Sequence, residues 1–250
     1  MKTLNFEEFY SEVKRAFHKM VPWSHVRFGD GEGIVMGYPE YTSKESCQKR
    51  WRKWLGHSDL DMRNFALEIR AAVEMADIIG TPCDRHQHVN QDWRNVLKYM
   101  KQFKLLDDES VTCCMDWTVE MHVRNLYKDI LYKKEDVTYI GCRDVTSVLK
   151  RVFNIRRVSA IHLPPQHYPC KGAVLRKDPH YPDIYNEIMD RLSDDLSGKI
   201  FLIGAGGLGK IYCTWVKQHS GVALDVGSLF DGWSGLVTRS YLNEIEKFKL

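Results

Sequence analysis

No run of apolar residues in this chain approaches the ~18 needed to span a bilayer, so no membrane span is expected. Proline is sparse, with 8 in 250 residues, and no Pro/Ser-rich linker, low-complexity tract or internal repeat divides the sequence. Residues 1–250 are therefore read as one domain. Cys-x-x-Cys pairs are missing among the seven cysteines, and their odd number argues against a disulfide framework. The opening "MKTLNFEEFYSEVKRAF" is too charged for a secretory signal. Reduced, mostly buried thiols and a cytoplasmic location are expected. A large excess of charge is also lacking. Net +3 makes no case for nucleic acid, though it is compatible with a small anionic ligand.

What is present is a regular alternation. Leu4, Phe6, Phe9, Tyr10, Val13, Phe17 and Met20 fall near helical spacing and predict an amphipathic helix within residues 1–22, ended by Pro22 and packed on the core. Short Val/Ile-rich runs then predict buried strands: "HVRFG", "ADIIG", "SVTCCM", "VTYIGC", "VSAIHL", "IFLIGA" and "VALDVG". Segments such as "MRNFALEIRAAVEM" and "DWRNVLKYMKQF" between them predict helices. The fold class expected is α/β: a mostly parallel, doubly wound, Rossmann-like sheet with helices on both faces. In such sheets ligands bind beyond the carboxyl ends of the strands, and these run tails are rich in Gly, Asp, Arg and His.

The first tail is "GDGEG". Asp30 and Glu32 lie at i and i+2 in a turn made permissive by Gly29, Gly31 and Gly33, one turn of backbone beyond Arg27. Two carboxylates so spaced can share Mn²⁺ or Mg²⁺ against a phosphate; an ordinary exposed acidic turn is the alternative. A later tail, Gly204 to Gly209, matches Gly-x-Gly-x-x-Gly, with Asp225 about twenty residues on. That pattern suits an NAD(P)-dependent oxidoreductase, but it comes too late in the chain for two mononucleotide halves to follow. Gly204, Gly206 and Gly207 with Lys210 could instead cradle another phosphate at a helix N-terminus, or form a tight packing turn.

Other tails carry weaker signals. Asp84, His86 and His88 suggest a zinc hydrolase or merely a polar loop. Arg143 and Asp144 suit a ligand phosphate or a structural ion pair. His167, in a proline-stiffened loop, has the intrinsic pKa of a general base. In "DVGSLFDGWSGLVTR", Asp225, Ser228, Asp231 and Trp233 could contact a sugar, with Trp233 as a stacking platform and Asp231 as the base for an acceptor hydroxyl. A helix cap at Ser228 or Asp231 and a core tryptophan are the plainer reading.

Taken in order, "RFGDGE", "ADIIGTP", "YIGCRDV" and "LIGAGGLGKIYCTWVKQHSGVALDVGSLFDGW" resemble the GT-D type glycosyltransferases over about residues 26–239. The resemblance implies a Rossmann-like core and transfer of a sugar from a nucleotide diphosphate donor, UDP-linked, helped by Mn²⁺ or Mg²⁺. It puts the family's Asp-x-Glu metal motif on Asp30 and Glu32, its first-strand arginine on Arg27, and its closing Asp-Ile-Gly on Asp225, Val226 and Gly227. Where well-known members carry a histidine next, this chain has Ser228. The partners implied are the nucleotide-sugar donor and a glycan, glycolipid or glycoprotein acceptor, with a homodimer left open. A non-catalytic nucleotide- or glycan-binding module is the third reading, beside the transferase and the oxidoreductase.

Overall fold

The computed structural model describes residues 1–55, 61–87, 91–164 and 178–238. The chain opens with a two-residue strand, β1 (Lys2–Thr3), and helix α1 (Phe6–Lys19). The next segment runs β2 (Trp23–Arg27), α2 (Asp30–Met36), α3 (Lys44–Leu55), α4 (Met62–Met75), β3 (Ile78–Thr81), α5 (Asp84–Gln87), α6 (Gln91–Gln102) and β4 (Val111–Cys114). Then come α7 (Trp117–Val123), α8 (Tyr127–Leu131), β5 (Asp136–Gly141), α9 (Thr146–Phe153), β6 (Arg157–His162) and α10 (Tyr185–Arg191), the last preceded by a wide helical turn at His180–Ile184. β7 (Ile200–Gly204), α11 (Leu208–Gln218), β8 (Val222–Asp225) and α12 (Leu229–Trp233) complete it.

Among the described residues the sheet has eight strands in the order β1-β4-β3-β2-β8-β7-β5-β6, and every pairing is parallel. The chain is an α/β protein of the expected doubly wound kind. Each of the seven predicted runs forms a strand; the central ones bury side chains in both directions because both sheet faces are covered, while the edge run in β6 is partly exposed. Alternate residues separate the two cores. Val26, Ile79, Ile140 and Ile203 face α2, α3, α4, α6 and α11. Trp23, Ile78, Val137, Tyr139, Leu202 and Leu224 face α1, α7, α8 and α9.

Several local expectations need correction. β1 was not foreseen, because two exposed residues carry no hydrophobic period; pairing with Val111 and Thr112 alone makes them a strand. The first helix ends at Lys19, before Pro22, with Met20 as a left-handed cap donating to the Ala16 carbonyl. Asn5 and Glu8 close its start reciprocally as a capping box. Its buried face is Phe9, Val13, Ala16 and Phe17. Asp30 and Glu32 lie not in an open turn but in the first turn of α2. Cys83 and Cys114 are joined as a disulfide rather than both reduced, whereas Cys47, Cys113 and Cys213 are buried free thiols.

At β2 and β8 the two halves of the sheet meet: β3 and β4 extend it on one side, β7 and β5 on the other. The first and last core strands are thus neighbours, with His25 opposite Leu224. A crevice beyond their carboxyl ends is the position such folds give to ligands.

Two buried histidines make the fold acid-sensitive. His180 shares a 3.0 Å hydrogen bond with the Tyr212 hydroxyl, and burial lowers its pKa from 6.5 to about 3. His25 is held well below its ordinary value by burial, then by Arg27 and Lys210. Folded His180 stays neutral while the unfolded chain takes up a proton. Its contribution is therefore present above the ordinary histidine value and is lost as pH falls below it, by about 1.4 kcal/mol per unit. Urea unfolding at about pH 7 and about pH 5 should differ by about 2 kcal/mol on account of His180, a share that His180→Asn should remove. An unaltered pH slope in the variant would refute this.

Candidate functional site

The carboxyl ends of β2, β7 and β8 bring three charges together. Lys210, in the first turn of α11, is buried. Its Nζ lies 2.9 Å from Glu32 Oε1, 3.0 Å from Asp225 Oδ2 and 2.9 Å from the Gly206 carbonyl. The remaining carboxylate oxygens accept backbone N–H groups. Glu32 Oε2 takes Gly29 N–H at 3.0 Å, the acidic half of a capping box whose other half glycine cannot supply. Asp225 Oδ1 takes Gly227 N–H at 3.0 Å, and Oδ2 also takes Arg27 N–H at 3.2 Å. For Lys210, burial opposes the charge, but Asp225 and then Glu32 outweigh it and hold the pKa above the ordinary lysine value. Its stabilisation is thus present throughout neutral pH and lost only in strong alkali.

Arg27 ties strand ends together. Its Nε donates to the Met115 carbonyl beyond β4 at 2.7 Å, and Nη1 donates to the Val226 carbonyl beyond β8 at 3.2 Å. Gly227, at φ +55°, leaves room for it, since a Cβ there would run into the guanidinium.

The other glycines serve packing more than the sequence suggested. Trp54, from α3, wedges its ring against Gly31 and Gly207, where a Cβ on either would collide with it. Gly204 admits the Phe230 ring and the Gly227 carbonyl, each 2.7 Å from where its Cβ would stand. Gly206 supplies a left-handed turn at φ +57°. The space that side chains at Gly31, Gly204 and Gly207 would need is taken by Trp54, Phe230 and the Gly227 carbonyl. With Asp225 bonded to Lys210, the oxidoreductase reading lacks a free ribose acid.

The closing segment also needs correction. Trp233 cannot stack on a sugar. It is buried among Tyr127, Phe153 and Phe230, and its Nε1–H donates to His122 Nδ1 at 3.2 Å. Arg143 is buried and its Nε donates to Asp231 Oδ1 at 2.6 Å, so its ion pair is with Asp231 rather than with the neighbouring Asp144. Asp231 Oδ2 accepts the Thr238 hydroxyl at 2.5 Å. Ser228 stands at the N-cap of α12 without a side-chain capping bond. Asp144 caps α9, accepting Thr146 N–H at 2.9 Å. Asp30 opens α2, but its side chain, like all of His167, His88 and Arg239, lies outside the described residues. Sequence reasoning passed over Asp116, which pairs with His86 at 2.9 Å. The available signal was its place just past a strand, where the other acids of interest stand.

Of the pair expected to hold Mn²⁺ or Mg²⁺, Glu32 gives Oε1 to the Lys210 ammonium and Oε2 to Gly29 N–H, and the Asp30 side chain lies outside the described residues. The position between Glu32 and Asp225 is filled by the Lys210 ammonium.

The GT-D fold-like domain family matches residues 4–233. The chain belongs to that family, and it is a glycosyltransferase. A solved structure of the highly conserved domain of unknown function 1792, described as having a distinct glycosyltransferase fold, is 15% identical with a TM-score of 0.60. The match covers 94% of this chain and 81% of that one. A further structure, described as a new glycosyltransferase of the same type from Streptococcus sanguinis, is 14% identical with a TM-score of 0.56, over 94% and 84% of the two chains. No functionally curated protein matches the sequence. Among the described residues of this GT-D-like chain, no helix is long and apolar enough to cross a membrane.

Replacing Lys210 by Met would leave Glu32 and Asp225 buried without their counter-charge. Such removal costs about 3–5 kcal/mol. Thermal and urea unfolding of Lys210→Met should show that loss at neutral pH; a variant as stable as the parent would contradict the buried triad.

Proposed function

We propose that this glycosyltransferase takes its sugar from a nucleotide diphosphate donor, UDP-linked, and delivers it to a hydroxyl of a glycan, glycolipid or glycoprotein. One observation carries the reading: the Glu32–Lys210–Asp225 triad is built at the carboxyl ends of β2, β7 and β8, where the two halves of the sheet meet. Ligands of open α/β sheets occupy that crevice. The N-termini of α2 and α11 end at the same edge, a polarity that favours a diphosphate.

In this reading the triad is a positioning device. Glu32 fixes the start of α2 through Gly29, and Lys210 locks α2 to β8, so the backbone facing the diphosphate is set before the donor arrives. Arg27 aligns the tails of β4 and β8. Transfer breaks the bond between the anomeric carbon and the diphosphate oxygen and forms one to the acceptor oxygen, whose proton must leave. Asp231 is the proposed acceptor of that proton, aimed by Arg143, with His167 the alternative base. The Mn²⁺ or Mg²⁺ that the family resemblance implies for Asp30 and Glu32 is assigned no step, because both oxygens of Glu32 are already bonded, to Lys210 and to Gly29 N–H.

The direct test is sugar release and transfer with a panel of UDP- and GDP-sugars, with added Mn²⁺ and with chelator. Glu32→Gln, which leaves Lys210 paired with Asp225, should lower transfer about a hundredfold or more in a protein that still folds but melts at a lower temperature. Full activity of that variant would remove Glu32 from the site, and binding without turnover of any donor would favour a non-catalytic module.

Asp231 is tested separately. Single-turnover transfer by Asp231→Asn should fall about a hundredfold or more at unchanged donor affinity. A normal rate would move the role to His167, with His167→Gln the variant that shows it.

A further inference from the structure

β3 and β4 are adjacent, with Thr81 opposite Cys114. Their carboxyl ends carry a group of side chains that the proposed transfer does not use. Cys83, two residues past β3, has its Cα 5.3 Å from that of Cys114, the last residue of β4, and their sulfurs are bonded. His86, on the short helix α5, turns Nδ1 to within 3.3 Å of Cys83 Sγ. Its other nitrogen, Nε2, is 2.9 Å from Asp116 Oδ2. One ligand atom from each of Cys83, His86, Cys114 and Asp116 lies within 4.8 Å of all the others. Among the described residues no other group of three or more His, Cys, Asp and Glu gathers so closely.

We propose that, once its two sulfurs are reduced, this cluster is a zinc site. Ligand type selects the ion. Two thiolates, an imidazole and a carboxylate are a borderline-soft set that suits Zn²⁺, whereas Mg²⁺ and Mn²⁺ prefer oxygen. Size agrees too. Zinc–ligand bonds of about 2.0–2.3 Å place tetrahedral ligand atoms roughly 3.3–3.8 Å apart, so the sulfurs separate once their bond is broken while the widest distances in the cluster close slightly. Cys83, Cys114 and His86 supply sulfur and nitrogen. Asp116, bonded to the imidazole, holds the ring and stands within reach as the oxygen ligand. All four are only partly buried, so an ion has access.

Chemically, a dithiol reductant supplies two electrons and two protons to the Cys83–Cys114 bond. The products are two protein thiols and the reductant's own disulfide. Zn²⁺ then displaces the thiol protons. The bound ion would clamp α5 to the β4–α7 turn beside the donor crevice. Met115, between Cys114 and Asp116, gives its carbonyl to Arg27. Trp93 stacks on His86 with ring centroids 4.9 Å apart, and its ring lies 3.7 Å from where a Gly29 Cβ would stand. Zinc occupancy would therefore stiffen one wall of that crevice. The site stands or falls independently of the donor assignment.

The test uses the whole chain, reduced with a dithiol, exchanged into Zn²⁺ and freed of excess metal. Elemental analysis should find about one zinc per chain, released by a chromogenic chelator. Cobalt substitution should give a sulfur-to-metal charge-transfer band. Cys83→Ser and Cys114→Ser should lose the zinc and the band, while Cys142→Ser keeps both. His86→Ala, on the four-residue α5, provides the same loss if a cysteine variant does not fold. Asp116→Asn should weaken binding about tenfold or more. The oxidised chain should take up none. Zinc far below one equivalent in the reduced parent, or unchanged binding in His86→Ala, would overturn the proposal.

Discussion

A single buried ammonium joins the two halves of this protein. Lys210 enters from α11, Glu32 from α2 and Asp225 from the end of β8, and none of the three is tolerable in the interior without the others. The backbone N–H groups of Gly29, Arg27 and Gly227 satisfy the oxygens that lysine leaves over. Because these contacts reach across the line where β2 meets β8, the relative placement of the strand tails is fixed by electrostatics as well as by packing.

Around the triad, aromatic rings take up space that glycine frees. Trp54 lies against Gly31 and Gly207, and Phe230 against Gly204 and Gly141. Helices α2 and α11 can therefore approach the sheet edge closely, with their first turns side by side. The same close packing explains why Arg27 reaches the carbonyls of Met115 and Val226. A rigid crevice floor suits group transfer, where donor and acceptor must be held in fixed geometry for the exchange of one bond.

Much of the architecture was legible in the sequence, for a physical reason. Strands buried on both faces must be apolar throughout, and each predicted run from "HVRFG" to "VALDVG" became a strand, with only "VSAIHL" at a partly exposed edge. The helix "MRNFALEIRAAVEM" was read at its observed limits because its apolar residues keep strict helical spacing. Acids and glycines concentrate in the tails because parallel strands deliver their carboxyl ends to one edge. The GT-D-like character was also readable, since it rests on short motifs whose order survives in the chain.

The sequence could not assign partners. "GDGEG" read as a metal turn and "GAGGLGK" as a phosphate cradle, for each is chemically complete when viewed alone. Folding set Lys210 against Glu32, Trp54 against the glycines of both motifs, and Arg143 against Asp231. It likewise buried Trp233 and brought Cys83, His86, Cys114 and Asp116 together from two strand ends. The sequence by itself determined which segments are strands, helices and tails, because hydrophobic period is a local property. Tertiary structure alone decided which charge meets which, because residues far apart in the chain become neighbours only when the sheet has its order.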